Sequence, residues 1–146
     1  MIDLFQRIDF LQNSDIFRTV NTDDLRLVAD LLEEERFYRG DHIFEMHDMG
    51  DYMYVVTEGL VGISLDVSKS EYVVTRKPGE CFGEMNLIDD LPRSATAVVL
   101  EDAMLLKLDK QKLRGLMLSY PELALGMLKA LSLNLRNTTK KAFRTS

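Results

Sequence analysis

Apolar and polar positions divide this chain into a helical stretch, a strand-rich stretch and a second helical stretch. From Thr22 onward, Leu25, Val28, Leu31 and Leu32 recur at helical spacing, which predicts an amphipathic helix to about Glu34. Thr22 suits its N-cap, and Asp23 and Asp24 face the positive end of its dipole. Between Arg36 and Leu108, short β-rich runs alternate with the turn signals Gly40-Asp41, Gly50-Asp51, Glu58-Gly59 and Pro78-Gly79. That rhythm predicts a small barrel or sandwich. Val61 to Val67 alternates with one apolar face, Ser68-Lys69-Ser70 reads as a polar hairpin tip, and Ala97–Leu100 and Met104–Leu108 read as the final strands. Asp109 is placed to cap a helix through Leu118, and Pro121 opens the last helix at a first-turn position. The expected organisation is therefore helices over 1–35, a β-rich body over 36–109 and helices over 110–146. The fold class is α+β, mainly β, in a single domain.

The last helix carries a second pattern. Ala124, Leu128, Leu131, Leu135, Thr138 and Ala142 alternate spacings of four and three, the seam of a short coiled coil. Two readings stay open: the stripe packs on the chain's own β-rich body, or it forms a parallel homodimer.

Composition narrows the class. The 46% hydrophobic and 29% charged content is that of an ordinary globular chain, and 146 residues bury a proper core. No apolar run approaches the ~20 residues of a membrane span, and the N-terminus lacks the apolar region of a signal peptide. One cysteine, Cys81, forms no internal disulfide and fits a reducing cytoplasm; it reads as a small buried hydrophobe. A net charge of −6 argues against direct nucleic-acid binding.

The chemistry concentrates in Cys81 to Thr96. Gly83 lets backbone approach a ligand closely. Glu84 to Asp90 can form a short helical turn whose first N–H groups suit an anion. Arg93, nine residues after Glu84, offers a rigid fork that matches two phosphate oxygens, and Ser94 adds a hydroxyl. A carboxylate for a ribose hydroxyl and an arginine for a phosphate, in one loop, point to a cyclic nucleotide. Each residue also has a plain reading. Glu84 serves equally as a helix N-terminal acid, Arg93 as a surface ion pair, and Ser94 as a partner for nearby backbone.

The run FGEMNLIDDLPRSATA resembles the phosphate-binding cassette of cyclic nucleotide-binding domains, as found in the bacterial catabolite activator, kinase regulatory subunits and nucleotide-gated channels. Phe37–Phe44 and Asp51–Val61 look like that family's opening strands, so the resemblance covers about Phe10 to Lys141. It implies a double-stranded β-helix, a jelly-roll-like β-roll, with the cassette at 82–96, N-terminal helices and a long C-terminal helix. It implies ligand contact by Phe82, Gly83, Glu84, Met85, Asn86, Leu87, Arg93, Ser94 and Ala95. Thr138 and Thr139 fall where the activator places hydroxyls that read the adenine. Two positions depart from the pattern. Asn86 stands where Ala, Gly or Ser is usual, next to the phosphate, and its amide could crowd the anion; His47 stands where a glycine commonly turns the chain. With Ser146 as its last residue, the sequence is expected to carry no helix-turn-helix of the kind found in the family's transcription factors.

The resemblance makes the chain a regulatory binding module, not an enzyme. It would take cyclic AMP in preference to cyclic GMP, although a hydroxyl at Ser94 also occurs in cyclic GMP-selective relatives. No cofactor or metal is expected: His42, Glu45 and His47 would need good three-ligand geometry, and on a strand His42 and His47 point to opposite faces. A homodimer through the C-terminal helix is implied, and an output domain or partner protein would carry the signal. The alternative is a degenerate member that keeps the fold for dimerisation or docking without nucleotide.

Overall fold

The structure, a computed structural model, describes residues 2–145 apart from 67, 69–71 and 73. The chain forms two compact units, Leu31–Arg114 and a second made of Met1–Asp30 with Gly115–Ser146.

The first unit is the β-roll. Its strands are β1 (Glu33–Phe37), β2 (His42–Phe44), β3 (Tyr52–Ser64), β4 (Val74–Arg76), β5 (Cys81–Phe82) and β6 (Thr96–Asp109), all paired antiparallel. The long strands β3 and β6 form its spine, pairing from Tyr52↔Asp109 to Ser64↔Thr96. β1 and β2 lie along β6, and β4 and β5 along β3. Tyr54, Val56, Val61, Phe82, Ala97, Val99 and Leu105 fill the core, with Phe37, Phe44 and Tyr52 packed against it. Tyr54 stacks on Phe82 at 5.3 Å between ring centroids. Burial, assisted by the charge of Glu35, pushes its hydroxyl pKa up to about 12, so it stays protonated.

Four local expectations change. Asn21, not Thr22, caps the second helix: its Oδ1 accepts from the Asp24 N–H at 2.9 Å. That helix ends at Ala29 instead of Glu34, because Glu33–Phe37 pairs residue by residue with β6. Cross-strand hydrogen bonds here outweigh the helical spacing of Leu31 and Leu32. Glu58-Gly59 is no turn between strands. It is a kink inside β3, with Gly59 at φ +93° and register shifts on both sides of Glu58. The two final strands are likewise one strand, β6, exposing Glu101 and Asp102 opposite that kink. Lys69 and Ser70 of the expected hairpin tip lie outside the described residues.

Gly40 and Gly79 do turn the chain, at φ +92° and +93°, and His47 also turns with positive φ, 77°. The His47 N–H donates to the Arg93 carbonyl, while the Arg93 N–H donates to Asp48 O at 2.7 Å. The turn therefore clasps the backbone of the cassette arginine.

The second unit is helical: α1 (Leu4–Gln12), α2 (Thr22–Ala29) and α4 (Pro121–Thr145), with α3 (Lys110–Ser119) leading into it from the roll. Asp3 and Gln6 form a capping box on α1, and Asp109 Oδ1 accepts from the Lys112 N–H at the start of α3. Thr19 Oγ1 donates to Gly126 O at 2.6 Å, and Arg18 and the Asp15 carbonyl bond Asn134. α4 buries Leu123, Met127 and Ala130, whereas Leu128 and Leu135 of the coiled-coil stripe are 59% and 67% exposed. The stripe is thus not used for packing within the chain at those two positions. Among the described residues, no single helix is long and apolar enough to cross a membrane.

Candidate functional site

The cassette begins on β5 and ends on β6. Cys81-Phe82 pairs with β3, and Phe82 anchors the start by burying its ring in the core. Cys81 itself is only half-buried, since the short β5 lies at the rim of the sheet. Gly83 follows at φ +77°, and Glu84–Leu87 make one 3-10 turn without a side-chain cap at its start. A Cβ on Gly83 would lie 2.6 Å from Arg93 Nη1, so both backbone angle and space require glycine. Leu87, 1% exposed, plugs the turn into the roll.

A cavity of about 170 Å³ opens beside this turn, which is room for a small ligand and not merely one water. One part of the lining comes from the turn and the cassette arginine: Gly83, Glu84, Met85, Asn86, Arg93 and Ser94. The other is mostly apolar: Phe44, Ile63, Val74, Phe82 and Ala95, with Arg76 among them. The structure therefore brings together every cassette residue expected from the sequence except Leu87, which supports the turn from beneath. Thr138 and Thr139 belong to the helical unit. Their hydroxyls donate to the carbonyls one turn back, Asn134 O and Leu135 O.

Arg93 is the centre of this arrangement, although only 4% exposed. Nη2 donates to Tyr52 O at 2.6 Å, and Nη1 donates to Asn86 Oδ1 at 3.0 Å and to Gly83 O at 3.3 Å. Its guanidinium lies 3.9 Å over the Phe44 ring, a cation–π contact. Nε is buried and has no hydrogen-bond partner among the described residues. Burial lowers the pKa of Arg93, and Tyr54, Asp51, Asp48 and Glu84 act the other way through space. A guanidinium keeps its charge under such a shift. The fold thus holds a buried cation whose hydrogen-bond acceptors are neutral, and the Nε donor and one donor of Nη2 remain unspent among the described residues. An anion entering the cavity would complete it.

The loop after the 3-10 turn is tied to α3. Lys110, 5% exposed, donates from Nζ to Asp89 O at 2.6 Å and pairs with Asp90 at 2.9 Å. Arg114 reaches Ile88 O and the same Asp90 carboxylate. Hydrogen bonds from Lys110 first, and then Arg114, hold the Asp90 carboxyl below the ordinary carboxylate range.

Sequence reasoning missed Phe44, Ile63, Val74 and Arg76. Ile63 lies on the apolar face of the alternating run that begins at Val61, and β3 brings it to the cavity lining. Phe44 and Arg76 carried no signal of their own, because strand pairing alone brings them beside the cassette.

Residues 34–120 match the family model of the cyclic nucleotide-binding domain. The chain is 39% identical over 104 residues to a cAMP-dependent protein kinase regulatory subunit of Eremothecium gossypii, covering 71% of this chain and 22% of that protein. It is 25% identical over 132 residues to a CRP-like cAMP-activated global transcriptional regulator of Mycobacterium tuberculosis, covering 89% of this chain and 59% of that one. Among solved structures, the N-terminal domain of a transcriptional regulator from Streptomyces coelicolor superposes with a TM-score of 0.79 at 30% identity, covering 91% and 94% of the two chains. The chain belongs to the cyclic nucleotide-binding domain family. It spans between about a fifth and three fifths of the length of the curated relatives it matches.

Proposed function

We propose that the β-roll binds a cyclic nucleotide, cyclic AMP ahead of cyclic GMP, and reports it through the C-terminal helix. The observation that carries this reading is Arg93, a buried cation with an unpartnered Nε in the wall of a cavity that also presents Glu84 and Ser94. A cyclic phosphate brings one negative charge. Arg93 meets it with a charge-assisted bond, and Ser94, exposed beside it, adds a hydroxyl. Glu84 accepts from the ribose 2′-hydroxyl, so a deoxyribose leaves that acceptor unmatched. Ile63 and Val74 supply apolar area for a base. The cyclic AMP preference is supported by relatives whose names carry cAMP. Thr138 and Thr139 would add base contacts, with their hydroxyls turned from the helix backbone to the ligand.

Isothermal titration with both nucleotides tests this. One site per protomer with tighter binding of cyclic AMP is expected. No heat with either, and no thermal shift at millimolar concentration, would leave the fold as a dimerisation or docking domain without nucleotide.

The route from site to output runs through α3, because Lys110 and Arg114 hold the cassette loop at Ile88, Asp89 and Asp90. A loop that shifts around bound phosphate pulls on these bonds. Binding has an effect to the extent that it favours one position of the helices. An output domain or partner protein would read that position.

The exposed Leu128 and Leu135 support a homodimer through α4. Leu135→Glu should leave the melting temperature of the isolated protomer nearly unchanged, since the residue is exposed. It should convert a dimer to a monomer in light scattering, because a charge in an apolar seam is costly to bury. A wild type that is already monomeric at high concentration would remove the dimer.

A further inference from the structure

Asn86 departs from the usual small residue of the cassette, and the structure shows what its side chain does. It is buried, with 9% of its surface exposed, so its amide is enclosed and not a surface group. Oδ1 accepts from Arg93 Nη1 at 3.0 Å. Nδ2 donates to Leu91 O at 2.7 Å and to Asp89 Oδ1 at 3.3 Å. One amide therefore joins the guanidinium to the loop that carries it. Space for it comes from Gly50, where a Cβ would lie 2.8 Å from Asn86 Nδ2. Asn86 and Gly50 form a matched pair, and the amide that lines the cavity also holds the arginine.

The hold has a direction. The two N–H bonds of Nη1 go to Asn86 Oδ1 and Gly83 O, which spends that nitrogen. Nη2 gives one bond to Tyr52 O, and Nε gives none among the described residues. The donors left for a ligand are those of Nε and Nη2, and these share one edge of the planar group. We propose that Asn86 is a positioning residue for Arg93, fixing the guanidinium so that its Nε edge meets the anion. A small residue at position 86 would leave the guanidinium held by Gly83 O, Tyr52 O and the Phe44 ring, without the side-chain acceptor on Nη1. The inference rests on the nucleotide reading above and adds how this chain aims its arginine.

A double-mutant cycle separates aiming from mere support of the loop. Cyclic AMP affinity is measured for wild type, Asn86→Ala, Arg93→Lys and the double variant. Asn86→Ala should weaken binding about tenfold when Arg93 is present, the scale of one hydrogen bond to a charged group. In the Arg93→Lys protein it should cost less than about twofold, because an ammonium has no edge to aim. Equal losses in both backgrounds, or no loss in the first, would overturn the proposal. Should the Arg93→Lys proteins bind too weakly to measure, the Nε–H resonance of Arg93 in the ligand-free protein decides instead. It should be sharp in wild type and broadened in Asn86→Ala, and an unchanged signal would overturn the hold. A wild type silent to both nucleotides defeats the function itself. A wild type that binds, with Asn86→Ala equal to it, defeats the role of Asn86 alone.

Discussion

Arg93→Ala should reduce cyclic nucleotide affinity by about 2–3 kcal/mol, roughly thirty- to over a hundredfold, the loss of a buried charge-assisted pair. Its effect on the ligand-free protein should be smaller, because two terms oppose one another. The substitution leaves Tyr52 O and Asn86 Oδ1 without the donor they use and uncovers the Phe44 ring. It also removes a cation that is only 4% exposed and whose bonds go to neutral acceptors. A buried charge without an ionic partner carries a desolvation cost, which its removal relieves. The thermal shift caused by nucleotide should therefore nearly vanish, while the ligand-free melting temperature falls by only a few degrees. Arg93→Lys should recover part of the affinity, since charge returns without the fork. Titration and thermal melts on the three proteins check both statements. Equal affinity for wild type and Arg93→Ala would mean that the phosphate sits elsewhere. A ligand-free protein too unstable to purify would make Arg93 chiefly a structural residue.

The same residue shows where sequence reasoning reaches and where it stops. Gly83, Glu84, Arg93 and Ser94 lie within twelve residues, so one local motif suffices to mark the candidate site, and the four do line one cavity. The residues that set the orientation of Arg93 are of another kind. Tyr52 contributes its backbone carbonyl from 41 positions away, and a carbonyl has no sequence signature. Phe44 reads as an ordinary strand aromatic until β2 pairs with β6 and carries it under the guanidinium. Asn86 was visible as an unusual residue, but its sign was not, because whether an amide crowds a ligand or holds an arginine depends on which way it points. Strand boundaries failed for a related reason. Glu33, Glu34 and Glu35 have poor strand propensity, and β6 makes them a strand by pairing. Thr138 and Thr139 follow only from the resemblance, which fixes a position along α4 but says nothing of what the hydroxyl bonds.

Gly59→Ala should destabilise the fold more than any other single glycine-to-alanine change, by about 2–5 kcal/mol. Gly59 sits at φ +93° in the kink of β3, where an L-residue costs about 1–2 kcal/mol in backbone strain alone. Strain is only part of it. An added Cβ would lie 2.7 Å from Ala103 Cα and 2.9 Å from its Cβ, and would also press on the Asp102 carbonyl. Those atoms belong to β6, the partner of β3 along the whole spine of the roll, and backbone in a paired strand yields less than a side chain does. Relief requires the two long strands to part where the register already shifts, between Val56 and Leu60. Gly40 and Gly79 give the comparison that isolates the contact. They have nearly the same φ, +92° and +93°, but nothing lies within 4 Å of an added Cβ. Alanine there should cost only the strain, about 1–2 kcal/mol. Chemical denaturation of the three variants measures the difference. A Gly59→Ala protein no less stable than Gly40→Ala would mean that β3 and β6 separate freely at the kink, and the spine would then be a hinge.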